Sequence, residues 1–116
     1  MQILTLDDVI TAGRNAYEAK TLTAQSIFPV CVYEDRRTGC KCVVGSAMTD
    51  ETLDAIQKAH VTRSRVVNLV SAEIIQFPDQ EQRQAIGALQ EAHDAWCLDG
   101  GEEEEAEFVR LLYRTY

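Results

Sequence analysis

The chain has 116 residues, of which 46% are hydrophobic, and this length suits one folded domain rather than two. Its 11 basic and 19 acidic residues give a net charge of −8, which disfavours nucleic-acid binding because the field repels phosphates. No apolar run approaches the about 20 residues of a membrane span, and the N-terminal residues lack signal-peptide features. We therefore expect a single domain over residues 1–116, in the cytoplasm, with reduced cysteines and no membrane contact.

The N-terminal part of the chain carries one helix signal and two strand signals. Thr5 and Asp8 have the spacing of a capping box, and the apolar spacing that follows predicts a helix over 6–19. Residues 27–33 are rich in β-branched and aromatic side chains, and 40–44 form a second apolar stretch after a polar turn. These two stretches predict a β-hairpin.

Four further helices are predicted in the rest of the chain. Thr49 is expected to cap one helix, and apolar spacing predicts another over 63–75. Asp79 and Gln82 have capping-box spacing before a long helix that Gly100 ends, and a run of glutamates opens the last helix. The predicted fold class is α+β, mostly α, with four or five helices packed around a short two-stranded β-hairpin.

Two short sequence boxes are expected to meet in the core. The first is Cys42-Val43-Val44-Gly45, in which glycine permits close backbone approach, and the second is Leu89-Gln90-Glu91-Ala92-His93-Asp94 on the long helix. With Tyr33, Gly39 and the Asp50-Glu51 pair, these boxes resemble a family of small phage and bacterial proteins over roughly residues 30–112. The resemblance implies an order of motifs but no reaction, and it does not include Cys40 or Cys97.

Cys42 and His93 raise the question of thiol catalysis. A nucleophilic cysteine needs a histidine in contact with it as a base and a third group to orient the imidazole ring. Asp94 follows His93 directly on a helix, so the two side chains point about 100° apart, which suits that orienting role poorly. The apolar surroundings of Cys42 favour the alternative, a buried and unreactive thiol.

A zinc site is the second chemical alternative. His93 and Cys97 lie one helical turn apart, and Cys40 and Cys42 can supply the other half of a tetrahedral Cys₃His set. Cys-x-Cys is a less typical ligand spacing than Cys-x-x-Cys, because residues 40 and 42 of a strand do not curl around an ion. The alternative is a core histidine with a hydrogen-bond partner. We expect no cofactor other than this zinc.

The last group of candidate residues concerns protein contacts. The acidic run Glu102, Glu103, Glu104 and Glu105 suits a solvated helix start, and it can also mimic phosphates toward a basic groove. Trp96 is expected in the core, whereas an exposed tryptophan would indicate a contact surface. Together with the resemblance, these features predict a non-catalytic phage-type or mobile-element protein that inhibits or modulates a bacterial host protein. The alternatives are a zinc-binding module, or a thiol or metal-dependent enzyme using Cys42 and His93.

Overall fold

The computed structural model describes all of residues 1–116 and contains five α-helices and two short β-strands. The helices are α1 (Leu6–Ala19), α2 (Asp50–Lys58), α3 (Val66–Ser71), α4 (Gln80–Asp99) and α5 (Glu102–Leu112). The strands are β1 (Gln2–Ile3) and β2 (Ile75–Gln76). This composition confirms the predicted fold class, a mostly helical α+β domain.

Local capping residues explain where the two longest helices, α1 and α4, begin and where α4 ends. The side chain of Thr5 accepts a hydrogen bond from the backbone N–H of Asp8 at 3.1 Å, which is one of the two bonds of the predicted capping box. The carboxylate of Asp79 accepts from the backbone N–H of Gln82 at 2.8 Å and starts α4. Gly100 ends α4 in the left-handed conformation, at φ 66°, which glycine adopts without strain.

The two strands do not form the predicted hairpin. Residues 27–33 contain no strand, and 40–44 take part only through Lys41, which makes isolated bridges to Leu22 and Glu34. The sheet instead joins β1 and β2 in parallel, with Gln2 beside Ile75. The hairpin prediction was wrong because β-branched content shows that a segment suits a pleated surface and does not identify its partner strand.

Helix α3 is shorter than predicted. It spans Val66–Ser71 rather than 63–75. Glu73 adopts a left-handed conformation at φ 60°, and this reversal ends the helical path before β2 begins at Ile75. The chain therefore turns back toward β1, so the apolar residues after Ser71 pack as turn and strand rather than as another helical turn.

Helix α4 packs against α5, α1 and a short 3₁₀ helix at Thr23–Gln25. Its buried face carries Ile86, Leu89, Gln90, His93, Trp96 and Cys97. Gly13 of α1 lies close to the Cys42–Gly45 box, because a Cβ there would stand 2.8 Å from the Val43 side chain. No helix has the length and apolar composition needed to cross a bilayer.

Candidate functional site

The two sequence boxes meet in the core through a chain of hydrogen bonds. The backbone N–H of Val44 donates to the Gln90 side-chain oxygen at 3.1 Å, and the Gln90 amide donates to Asp94 at 3.0 Å. The N–H of Gly45 donates to the Cys42 sulfur at 3.2 Å. Buried backbone N–H groups need hydrogen-bond acceptors, and the Gln90 side chain of the second box supplies one for Val44 of the first box.

His93 lies at the centre of an aromatic cluster and has no exposed surface. Its Nε2 lies 3.4 Å from the Thr23 hydroxyl, and its ring packs at steep angles against Phe108 and Trp96, with centroids 5.6 and 6.3 Å away. Asp94 approaches His93 Nδ1 at 3.5 Å, nearer than helical geometry predicts, although its shorter hydrogen bond comes from Gln90. The surroundings of His93 are those of a core residue.

Cys42 lacks the environment of an activated nucleophile. Its side chain is buried, and burial raises the pKa of the thiol to about 12. The sulfur accepts a hydrogen bond from Gly45, and none connects it with His93. Since the thiolate is the reactive form, the raised pKa and the lack of an imidazole partner both disfavour nucleophilic attack by this thiol.

The four proposed zinc ligands do not converge. No group of three or more His, Cys, Asp or Glu side chains has an arrangement that can hold a metal ion. Cys97 lies beside Cys31, which was not among the proposed ligands, and burial followed by the Cys31 contact raises the Cys97 pKa to about 12. Cys40 is half-buried and follows the turn over residues 36–38, and its N–H donates to the Thr38 hydroxyl at 3.2 Å.

Alkaline pH is expected to destabilise the protein through Cys42. The pKa of its thiol rises from 9.0 to about 12 on folding, so the unfolded chain loses this proton first. The contribution of Cys42 is complete below about pH 9, and between about pH 9 and 12 its ionisation in the unfolded chain lowers the free energy of unfolding by about 1.4 kcal/mol per pH unit, in addition to any loss from Cys97, whose pKa is also raised. Urea unfolding at several pH values measures this slope.

A cysteine comparison isolates the contribution of that one thiol. Cys42→Ala is expected to make the alkaline slope shallower by about 1.4 kcal/mol per pH unit, because the titrating group is gone. Cys40→Ala is the matched control, since it also removes one thiol and that thiol is only half-buried. Equal slopes in both variants would show that Cys42 ionises alike in the folded and unfolded chain.

The acidic run and Trp96 occupy different environments. Glu102 and Glu103 are exposed, whereas Glu105 is half-buried and accepts a hydrogen bond from the Tyr17 hydroxyl at 2.9 Å. Trp96 is only 6% exposed and packs against Phe108, so it belongs to the core and not to a contact surface. The acidic run is therefore partly bound to its own domain.

A groove of about 630 Å³ lies apart from Cys42, His93 and the acidic run, although Gln90 and Asp94 of the second box line it. One wall is a face of α4, and the other walls are residues 31–33 and 62–67. The α4 residues in it recur at helical spacing and include Arg83, Gly87, Gln90, Asp94 and Leu98. The groove was missed from the sequence, although a glycine inside a long helix and the nearby Arg63 and Arg65 were available as signals.

Comparison with known proteins adds no family to this description. No protein-family model, no curated protein and no solved structure matches the chain. The resemblance carried by Cys42–Gly45 and Leu89–Asp94 stays a prediction.

Proposed function

We propose that the protein is a non-catalytic binding protein of phage or mobile-element type that inhibits or modulates a bacterial host protein in the host cytoplasm. The sequence resemblance, the small size and the net charge of −8 support this proposal. The observation that carries this proposal is that the residues with catalytic chemistry and the exposed apolar residues lie in different parts of the molecule. Cys42 and His93 are enclosed in the core, whereas the apolar side chains of Leu98 and Val67 stand exposed in an open groove.

Three exposed apolar side chains define the proposed contact residues: Ile27, Phe28 and Leu98, which are 88%, 75% and 76% exposed. Leu98 lies on the α4 wall of the groove. The segment that carries Ile27 and Phe28 continues into the opposite wall at Cys31. Single exposed apolar residues are common, but aromatic and aliphatic side chains beside a concavity are typical of protein contact surfaces.

The buried polar network supports a structural role for the two boxes. The Gln90 side chain pairs with a backbone N–H of the first box and with Asp94 of the second, so its polar groups are engaged within the domain. A catalytic site needs a group that reaches substrate. Binding energy at a protein surface comes instead from a few exposed apolar anchors, which is the role we assign to Phe28 and Leu98.

A photo-cross-linking residue placed at Phe28 is expected to form one discrete covalent adduct with a protein of a bacterial lysate. The same residue at Tyr116 is the matched control, because that aromatic side chain is also exposed, at 50%, but lies at the C-terminus. We expect no discrete adduct from position 116. Phe28→Asp is expected to lower capture of the identified protein about tenfold, as loss of an anchor residue does.

Two results would contradict the proposal. Equal labelling from positions 28 and 116 would mean that the adduct reflects random encounter rather than a contact surface. A turnover reaction of the captured protein that requires Cys42 would replace binding with catalysis. Mass spectrometry of the adduct identifies both the partner and the cross-linked position.

A further inference from the structure

Gly87 stands inside a helix without a structural reason for being glycine. It lies in the interior of the 20-residue helix α4, where glycine is the poorest helix former after proline. A Cβ at Gly87 would meet no atom within 4 Å, and its φ is not positive. Gly13 and Gly45 differ, because added Cβ atoms there would meet Val43 and Tyr33.

The missing side chain of Gly87 opens the groove. Gly87 lines the α4 wall between Arg83, one turn earlier, and Gln90, one turn later. A helix surface without Cβ lets another main chain approach closely. The space left by the missing side chain is therefore not used for packing within the domain and is available to a bound molecule.

The groove also concentrates unpaired positive charge. Arg63, Arg65 and Arg83 line it, and their side chains make no ion pair or hydrogen bond within the protein. Three of the five other arginines pair with carboxylates, namely Arg36, Arg37 and Arg110, whereas Arg14 bonds backbone carbonyl groups and Arg114 stacks on Tyr116.

The groove changes character along α4. Arg83 and Leu98 are separated by about 22 Å at the helical rise per residue, a distance that about seven residues of extended chain span. Glu91 and Asp94 also line the groove between them, and Asp94 already accepts a hydrogen bond from Gln90. Leu98, with exposed Val67 on the facing segment, gives the groove its apolar part.

We propose that the groove binds an extended, acidic segment of the partner protein, with its main chain against Gly87. Carboxylates of that segment pair with Arg63, Arg65 and Arg83, because guanidinium groups bind carboxylates bidentately. An apolar side chain of the segment contacts Leu98. This inference rests on the proposed function, since it names the chemistry of the partner's bound segment.

The test uses fluorescence anisotropy with labelled synthetic peptides of about seven residues. One peptide has glutamates at one end and leucines at the other, a second has the reverse order, and a third has lysines in place of the glutamates. We expect one of the acidic peptides to bind, with affinity that falls as salt rises, and the lysine peptide not to bind.

Two variants of α4 test the position of the bound segment. Gly87→Leu fills the groove and is expected to weaken peptide binding at least about tenfold while the domain stays folded. Ala88→Leu is the matched control, because residue 88 follows Gly87 on α4 but its side chain is exposed outside the groove. This variant is expected to bind the peptide like the original protein. Arg83→Glu is expected to weaken binding by a similar factor.

Three results would overturn the inference. The first is equal peptide binding by Gly87→Leu and Ala88→Leu. The second is binding of pyrophosphate, used as a probe, without binding of any peptide, which would assign the groove to small anions. The third is an adduct from position 28 without peptide binding, which would leave the proposed function standing. Peptide binding without a discrete adduct would instead reject the contact residues and keep the groove.

Discussion

Replacing Gly45 with alanine is expected to lower the free energy of unfolding by about 4 kcal/mol or more, among the largest effects of single substitutions. A Cβ at Gly45 would overlap the carbonyl oxygen of Tyr33. That oxygen also accepts from the Cys42 N–H at 3.2 Å, and the Tyr33 N–H donates to Thr62 at 3.2 Å. Because hydrogen bonds hold the Tyr33 backbone at both its N–H and its carbonyl group, this backbone cannot move away without breaking them. The overlap is therefore expected to disrupt the first box.

Urea unfolding, followed by the fluorescence of the single tryptophan, measures this loss. Gly87→Ala is the matched control, since its Cβ meets no atom, and it is expected to raise the free energy of unfolding by about 1 kcal/mol through helix propensity. A Gly45→Ala protein as stable as the original would show that the two boxes do not depend on close contact between Tyr33 and Gly45.

Replacing His93 with alanine is expected to lower the free energy of unfolding by about 3 kcal/mol, which is typical of removing a large buried side chain. The ring is fully buried, so its loss leaves a cavity against Phe108 and Trp96. The Thr23 hydroxyl, which is buried as well, also loses its neighbour at 3.4 Å. Both effects act in the same direction.

Gln84→Ala is the control for this substitution because Gln84 is exposed on the same helix. Its free energy of unfolding is expected to stay within about 0.5 kcal/mol of the original value. Equal free energies of unfolding for His93→Ala and Gln84→Ala would show that His93 does not stabilise the core. That result would favour a chemical role for the His93 imidazole.

Signals within a few residues predicted α1 and α4 well, whereas α3 is shorter than its pattern predicted. Thr5 and Asp79 act as N-caps through their own side chains, so the starts of α1 and α4 could be predicted from capping-box spacing. Gly100 ends α4 because it adopts a left-handed conformation that other residues resist. The inward face of α4, including His93 and Cys97, also followed from helical spacing.

The sheet could not be predicted in the same way. β1 and β2 have two residues each, too few for alternation to appear, and their pairing joins Gln2 to the distant Ile75. The stretch 27–33 carries a stronger strand pattern but leaves Ile27 and Phe28 exposed. Strand pairing depends on contacts between distant residues, and a pattern within one segment does not identify them.

The groove could not be predicted from the sequence for the same reason as the sheet. Its walls come from α4, residues 31–33 and residues 62–67, which are distant in sequence and brought together only by folding. The sequence drew attention to Cys42 and His93 because their residue types are associated with catalysis, and the structure places both in the core. Gly87 was the local signal of the groove, since a glycine inside a helix needs an explanation.

The most direct test of whether the boxes support the fold while the surface binds is the adduct yield from position 28 in two further variants. Cys42→Ala, measured where circular dichroism shows it folded, is predicted to keep the original yield. Leu98→Asp, which changes an exposed side chain, is predicted to lose most of the adduct. The opposite pattern, with the adduct lost in folded Cys42→Ala and unchanged in Leu98→Asp, would contradict the proposal. It would show that the function depends on Cys42 in the core and not on the exposed surface.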